Sequence, residues 1–471
     1  RSSTTTPAQA RPRARSLGAA RAGDRMRRRR SSNRRPRRSK TRPAWPRTRG
    51  RGPPASKDVA TPSNRRTSRQ DDASGAGGIS PFQGVMRNPG LFPAILLIGT
   101  MLVGCAAERR PDRPLEDLVA ARNADVAARH AQTLAFMEKL LTRAESKRGT
   151  TLDMLIISGG GDWGAFGAGV LKGWGRVAGE MARPQFDVVT GVSTGAMIAP
   201  LAFLGDDESI ERIVQMYRRP QKDWAVRRGP LFFLPNNPSF FSLPGLEREV
   251  RAVLDRPMLE RIAAERASNR GLVVNTTNID FGDMHAWDIV AETKAALERN
   301  DEAHVHRILL ASAGIPGAFP SRGIGQSLYV DGAITGNILY GGRTREGEGF
   351  PAMWRAKHPG APIPRLRIWV IFNNQFRFSP QVTQARWPDI TGRATIMSTQ
   401  TSTINSMRHL FAMAEIAKLK HGADVQVRVI AVPDDWVPPK PGTFVTEVMN
   451  NLADLGEKMG ADPASWRAEP P

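Results

Sequence analysis

The sequence predicts an α/β fold built on a mainly parallel central sheet covered by helices on both faces. Two apolar runs carry that expectation first, because each ends in a glycine-rich turn that passes straight into a stretch of small and apolar residues. One is Leu155-Ile156-Ile157, followed by Ser158 to Gly164 and the helix-like run Ala165 to Leu171; the other is Phe186, Val188 and Val189, followed by Gly191-Val192-Ser193-Thr194-Gly195 and the run Ala196 to Leu204. Alternation carries it further: the β-prone runs Leu272-Val273-Val274, Ile368-Trp369-Val370-Ile371 and Val425 to Val432 are interleaved with helical stretches at Leu246 to Leu254 and Ala303 to Ala313. The 322 residues from Thr150 onward suffice for one such domain with insertions, and no segment repeats.

The region N-terminal to that domain reads as an address. Arg1 to Val85 hold 23 Lys or Arg against 4 Asp or Glu, so +19 of the chain's +23 charge lies there, including the run Arg27-Arg28-Arg29-Arg30. With so few large apolar residues this segment is expected to be disordered. Within a mature protein such a tail would bind nucleic acid or an anionic membrane. The signal-like segment next to it favours an extension outside the natural product, which leaves no nucleic-acid partner. Met86-Arg87-Asn88-Pro89-Gly90 is a short cationic start, and Leu91 to Val103 is an apolar stretch short for a bilayer span, ending in Leu102-Val103-Gly104-Cys105. The pattern resembles a bacterial lipoprotein signal over residues 86–104, which implies lipidation of Cys105, the only cysteine. Two or more acyl chains, each contributing ~0.8 kcal/mol per buried methylene, anchor stably. Ala106 at the next position points to the outer membrane, with the domain facing the periplasm. Residues 105–149 are then a tether and one or two amphipathic helices packed on the domain, on the spacing of Leu115, Leu118, Val119, Val126, Leu134, Met137 and Leu141.

Three motifs carry chemistry. In Gly159-Gly160-Gly161-Asp162-Trp163-Gly164 a loop between strand and helix bares backbone N–H groups, which can bind a phosphate or the oxyanion of an acyl transfer. Gly159-x-Gly161-x-x-Gly164 also fits a dinucleotide fingerprint, but that needs an acidic residue ending the next strand, and Asp187 begins it. No cofactor is expected. In the second motif, Gly191 and Gly195 flank Ser193 because a side chain at either would collide with backbone in so sharp a turn. The third is Leu328-Tyr329-Val330 ending in Asp331-Gly332-Ala333, which places a carboxylate at the C-terminal end of a strand. Alone, an aspartate before glycine is a turn former.

Together, in this order, the three motifs resemble those of the patatin-like phospholipases. The segment Ala311-Ser312-Ala313-Gly314-Ile315-Pro316-Gly317-Ala318-Phe319-Pro320 is similar to the one that precedes the family's aspartate, and the resemblance spans about Leu152 to Asn374. One departure is Trp163, where the family often has Arg or Lys. The resemblance implies a three-layer α/β/α patatin-like fold over residues 150–471 and hydrolysis of a lipid acyl ester, a phospholipid above all. It implies a Ser193–Asp331 dyad acting through an acyl-enzyme, with Gly332 and Ala333 completing the aspartate motif. The candidate oxyanion-hole residues are Gly159, Gly160, Gly161, Gly164 and Thr194, the amides of Gly160 and Gly161 foremost.

Two rivals stay open at this level. A Ser-Asp-His triad could draw on His409 or His421, which both follow Asp331. A lipoprotein that binds or scaffolds without turnover could keep the same fold. His285, His304 and His306 lack a cysteine partner and a ligand spacing, so no metal is expected. Leu231 to Pro235 with Phe240-Phe241 could line an acyl-chain entry, and Gly341 to Pro364 reads as a mobile surface insertion.

Overall fold

The computed structural model describes residues 110–148, 150–229, 237–341 and 347–471. The Arg-rich segment, the apolar run with Cys105, and Leu231 to Pro235 lie outside the described residues. Eight strands form the main sheet: β1 (Thr151–Ile157), β2 (Val188–Val192), β3 (Gly271–Asn278), β4 (Asp283–Asp288), β5 (Arg322–Ile324), β6 (Ser327–Asp331), β7 (Arg365–Phe372) and β8 (Val425–Ala431). Among the described residues the α-helices are α1 (Leu115–Ser146), α2 (Gly164–Trp174), α3 (Thr194–Leu204), α4 (Asp207–Arg218), α5 (Pro244–Val253), α6 (Arg256–Ala264), α7 (Ile289–Arg299), α8 (Glu302–Ser312), α9 (Phe350–Lys357), α10 (Trp387–His421) and α11 (Thr446–Gly460).

Strand order is β8-β7-β1-β2-β3-β6-β5, with β4 also paired to β3. The five strands from β8 to β3 are parallel, as the alternation of strand and helix in the sequence requires. The remaining pairings are antiparallel: β4 and β6 run against β3, and β5 runs against β6. β1 shows why helices cover both faces. Leu155 and Ile157 join the core beneath α2, α3, α4 and α11, while Ile156 joins Ile368, Val370 and Phe372 beneath Ile404, Met407 and Leu410 of α10. Successive residues point to opposite faces, so a run of three aliphatic residues must be covered twice.

Glycines set the closest helix contact. A Cβ at Gly169 would lie 2.1 Å from the Ala453 carbonyl and one at Gly173 would lie 1.9 Å from that of Glu457, while Gly456 and Gly460 meet the Phe166 and Val170 carbonyls at 2.1 and 2.2 Å. Helices α2 and α11 therefore touch backbone to backbone. Beside them Trp174, Trp369 and Trp466 pack with ring centroids 4.4 to 5.2 Å apart.

One helix, α1, fills most of the segment expected to hold one or two, and only Leu141 and Ala144 of it are buried. Charge holds it to the domain. Arg143 and Lys147 each reach a carboxylate oxygen of Asp187 at 2.8 Å, and Arg129 pairs with Asp283 at 2.8 Å. Asp187 is thus a buried anchor at the N-terminal foot of β2, at the opposite end of that strand from Ser193. The stretch from Gly341 to Pro364, expected as a mobile insertion, instead contains α9 among its described residues. Its Trp354 is buried against Leu141, Ala144 and Leu152, because an indole in a polar loop gains more by covering that apolar gap than by facing water.

Candidate active site

Strand register brings the two far-apart motifs together. Val192, the last residue of β2, pairs with Asn275 of β3, and Asp331, the last of β6, pairs with the next residue, Thr276. β2 runs along β3 and β6 runs against it, so the two strands meet head-on along one edge of β3. The C-terminal end of each points at the other. Expected simply at a strand's C-terminal end, Asp331 thus sits on an antiparallel strand whose end coincides with the C-terminal edge of the parallel ones.

At that junction the chain turns sharply. Ser193 has φ 54° and ψ −122°, a conformation that costs an L-residue roughly 1–3 kcal/mol and aims its side chain away from the strand. Small neighbours permit it, since a Cβ on Gly191 would lie 2.3 Å from the Gly195 carbonyl and one on Gly195 would lie 2.2 Å from that of Ile157. Ser312, the residue C-terminal in α8, braces the turn: its Oγ accepts from the Ser193 amide at 2.9 Å and donates to the Asn275 carbonyl at 2.6 Å.

The Ser193 hydroxyl donates to the Asp331 carboxylate, which also accepts the Ala333 amide at 2.8 Å. Both side chains are buried, with residue exposures of 4% and 3%. Burial pushes the Asp331 carboxyl up to about 7, with the two hydrogen bonds opposing it. A carboxyl titrating near neutrality is a far better base than one in water. Gly332 lets the aspartate turn lie against β3, where a Cβ would be 2.3 Å from the Asn275 carbonyl, and Asn275 Nδ2 donates to the Gly332 and Gly336 carbonyls at 2.9 and 2.8 Å.

The glycine loop lies against the serine. A Cβ on Gly159 would be 2.9 Å from that of Ser193, and one on Gly160 would be 2.2 Å from the Asn373 carbonyl. Gly161 is left-handed at φ 62°. Two of the five expected oxyanion donors are engaged elsewhere: the Gly159 amide donates to Asn337 Oδ1 at 2.8 Å, and the Gly164 amide to the Gly161 carbonyl at the end of a 3₁₀ turn. These glycines are needed for close approach, not as donors. The amides of Gly160 and Gly161 donate to no acceptor among the described residues, and that of Thr194, in the first turn of α3, has no intrahelical acceptor. Three donors and the positive end of a helix remain free there.

A buried polar frame holds the loop. Asn373 takes the Gly167 amide at 3.0 Å and donates to the Ser158 carbonyl at 2.8 Å, while its own amide donates to Ser158 Oγ at 2.9 Å. Asn337 spans from Gly159 to Thr403 Oγ1 of α10, to which it donates at 3.1 Å. Ser312, Asn337 and Asn373 are the supporting residues that the motifs did not disclose as such. Ser312 lay inside a segment already noted, while Asn337 and Asn373 carried no signal beyond following Asp331 and a strand.

Trp163 packs edge-on to Trp436 with centroids 4.9 Å apart, and the neighbouring Asp162 carboxylate accepts the Phe444 amide at 2.8 Å. An aromatic row leads away from the site: Tyr217, hydrogen-bonded to Thr194 Oγ1, then Trp224, Phe444, Phe319 and Phe241, with successive centroids 5.8 to 6.2 Å apart.

The histidines stand elsewhere. His409 and His421 lie on α10, with His409 Nδ1 joined to Tyr340 Oη at 2.7 Å, and no hydrogen bond links either to Ser193 or Asp331 among the described residues. His304 pairs with Glu292 and His306 with the Leu254 carbonyl, while burial lowers His285 to about 4. Among the described residues no three His, Cys, Asp or Glu side chains are grouped to hold a metal ion.

Residues 155–341 match the model of the patatin-like phospholipase family, and the sheet flanked by helices on both faces is the patatin fold. Of solved structures, that of VipD from Legionella pneumophila is similar at 12% identity and a TM-score of 0.30, over 67% of this chain and 67% of that one. No curated protein matches.

Proposed function

From a chain whose residues 155–341 form a patatin-like phospholipase domain, we propose that Ser193 and Asp331 hydrolyse a lipid acyl ester, a phospholipid first of all, through an acyl-enzyme. One observation carries the reading: the hydroxyl of a strained, buried serine donates to a carboxylate raised to about 7, beside the free amides of Gly160 and Gly161. As Ser193 Oγ attacks the ester carbonyl, its proton passes to Asp331 and the carbonyl electrons move onto oxygen. The amides of Gly160, Gly161 and Thr194 receive that negative charge, each such donor being worth ~10²–10³ in rate. Collapse breaks the ester bond, and Asp331 returns the proton to the departing alkoxide. Water then attacks the acyl-serine with Asp331 again as base, releasing the fatty acid.

Tyr217 and Trp224 are packed in the core, but the half-buried Phe444, Phe319 and Phe241 at the outer end of the row favour an apolar acyl chain over a polar substrate. A lipidated Cys105 would tether the domain to the periplasmic face of the bacterial outer membrane and so keep it beside such substrates. Cys105 lies outside the described residues, and this part of the reading rests on its sequence context. Labelling with a fluorophosphonate probe tests the catalytic reading. Ser193 is expected to be modified, and Ser193→Ala and Asp331→Asn are expected to lose both labelling and turnover of a short-chain soluble ester. An intact protein that resists the probe and leaves the ester uncleaved would be a binding protein on the same fold.

A further inference from the structure

Helix α10 is longer than the layer it covers. It carries the chain from the C-terminal end of β7 back to the start of β8, so it begins at the same sheet edge as Ser193 and ends at the opposite one. Its 35 residues extend about 52 Å, whereas the eight-residue β7 extends about 26 Å. The excess lies at the catalytic edge. Buried residues of α10 begin at Gln400 and run to Ala414; none of the thirteen before Gln400 is buried.

That overhang is apolar on its outer side. Trp387, Ile390, Ala394 and Met397 recur at i, i+3, i+7 and i+10 and so share one face, with Trp387 79%, Ile390 52% and Met397 43% exposed. Val382, just before the helix, is 89% exposed. Charge around the stripe is mostly positive, with Arg377, Arg386 and Arg393 against Asp389 between residues 376 and 399. Arg386 pairs with Asp389 at 2.6 Å, Arg377 faces Asp434 at 3.8 Å, and Arg393 donates to the Ser379 carbonyl at 3.0 Å. The root of the overhang is tied to the site, for Gln400 donates to the Gln375 carbonyl at 2.6 Å and Thr403 is joined through Asn337 to Gly159.

We propose that the N-terminal third of α10 is a docking surface for an anionic lipid surface, seating Trp387, Ile390 and Met397 among the acyl chains with the arginines at headgroup level. An exposed tryptophan on an apolar stripe edged by arginines fits the boundary between acyl chains and anionic headgroups better than it fits water. The start of the described chain agrees. Arg110 is held by two 2.7 Å bonds to Asp280 and one of 2.9 Å to the Gln326 carbonyl, at the end of β3 on this same edge, and Cys105 is five residues upstream. A lipid on Cys105 and an inserted α10 would therefore present one edge of the sheet to the bilayer. The inference rests on the lipase reading for its purpose, though not for its test.

Amide exchange of the full chain with vesicles reads the docking locally, apart from any attraction of the Arg-rich segment. Phosphatidylglycerol vesicles are expected to slow exchange across 380–399 by roughly tenfold or more, and phosphatidylcholine vesicles by much less. Unchanged exchange there overturns the proposal. So does equal slowing by phosphatidylcholine, or slowing that follows protein concentration without vesicles, which marks a second copy as the occupant. Replacing Trp387 and Ile390 together with Asp is expected to abolish the protection and to lower turnover of vesicle phospholipid roughly tenfold, while leaving soluble-ester turnover unchanged. Equal loss on both substrates overturns a docking role. Wild-type protein that cleaves neither substrate, yet is protected by phosphatidylglycerol, leaves the docking standing and sinks the hydrolase.

Discussion

Under the proposed mechanism, Asp331 sets the pH behaviour of the site. Its carboxyl, raised from 3.8 to about 7 by burial, must be ionised to accept the serine proton, so kcat/KM for a soluble ester is expected to rise with pH and level off above about 7. A profile already flat from pH 5 would count against this role. Stability runs the other way. The folded state holds this proton more tightly than the unfolded chain, so stability falls as pH rises from about 4 through about 7, by on the order of 4 kcal/mol in all. Asp331→Asn removes the buried charge, and denaturant melts at pH 8 are expected to show the inactive variant more stable than the wild type. Asn337 acts through the loop rather than on substrate. Its replacement by alanine frees the Gly159 amide and is expected to lower kcat by roughly tenfold to a hundredfold with KM little changed, since only the donors' aim is altered.

Among elements, the pair α2 and α11 is the least tolerant. A single methyl at Gly456 would sit 2.1 Å from the Phe166 carbonyl, and the helix carrying that carbonyl begins at the glycine loop. Gly456→Ala is therefore expected to cost about 1–3 kcal/mol in denaturant melts and to lower ester turnover as well, by shifting the loop. A neutral result would mean that the helices part freely. The composition of α2, with Gly164, Gly167, Gly169 and Gly173 in eleven residues, shows a helix meant for close approach, but nothing in it names the partner as α11. Nor does β6 announce its direction. Ser327 to Asp331 reads as a strand in either orientation, and only pairing with β3 turns it antiparallel.

For the whole molecule, the attachment of α1 matters most. Asp187 is buried against Arg143, Lys147 and the Asp153 amide, all at 2.8 Å, so Asp187→Ala strips two partly buried cations and an amide of their acceptor. The expected cost is about 2–4 kcal/mol, and limited proteolysis is expected to cut within residues 110–148 far sooner than in the wild type. Unchanged cleavage would show that Arg129, paired with Asp283, and Lys139, 3.2 Å from the Asp288 carboxylate, hold the helix unaided.

By itself the sequence determined the fold class, the serine turn and the glycine loop, because these depend on local sterics: apolar runs that must be buried, and glycines where a Cβ would strike backbone. It also marked Asp331, though only as a strand-ending carboxylate in a recognised order of motifs. Tertiary structure decided what depends on partners distant along the chain. It set the head-on meeting of β2 and β6, diverted the Gly159 amide to Asn337, and turned Asp187 into an anchor for α1. A hydrogen-bond partner or a neutral-range carboxyl arises from which surfaces come together and exclude water, and no stretch of sequence contains both sides of such a contact.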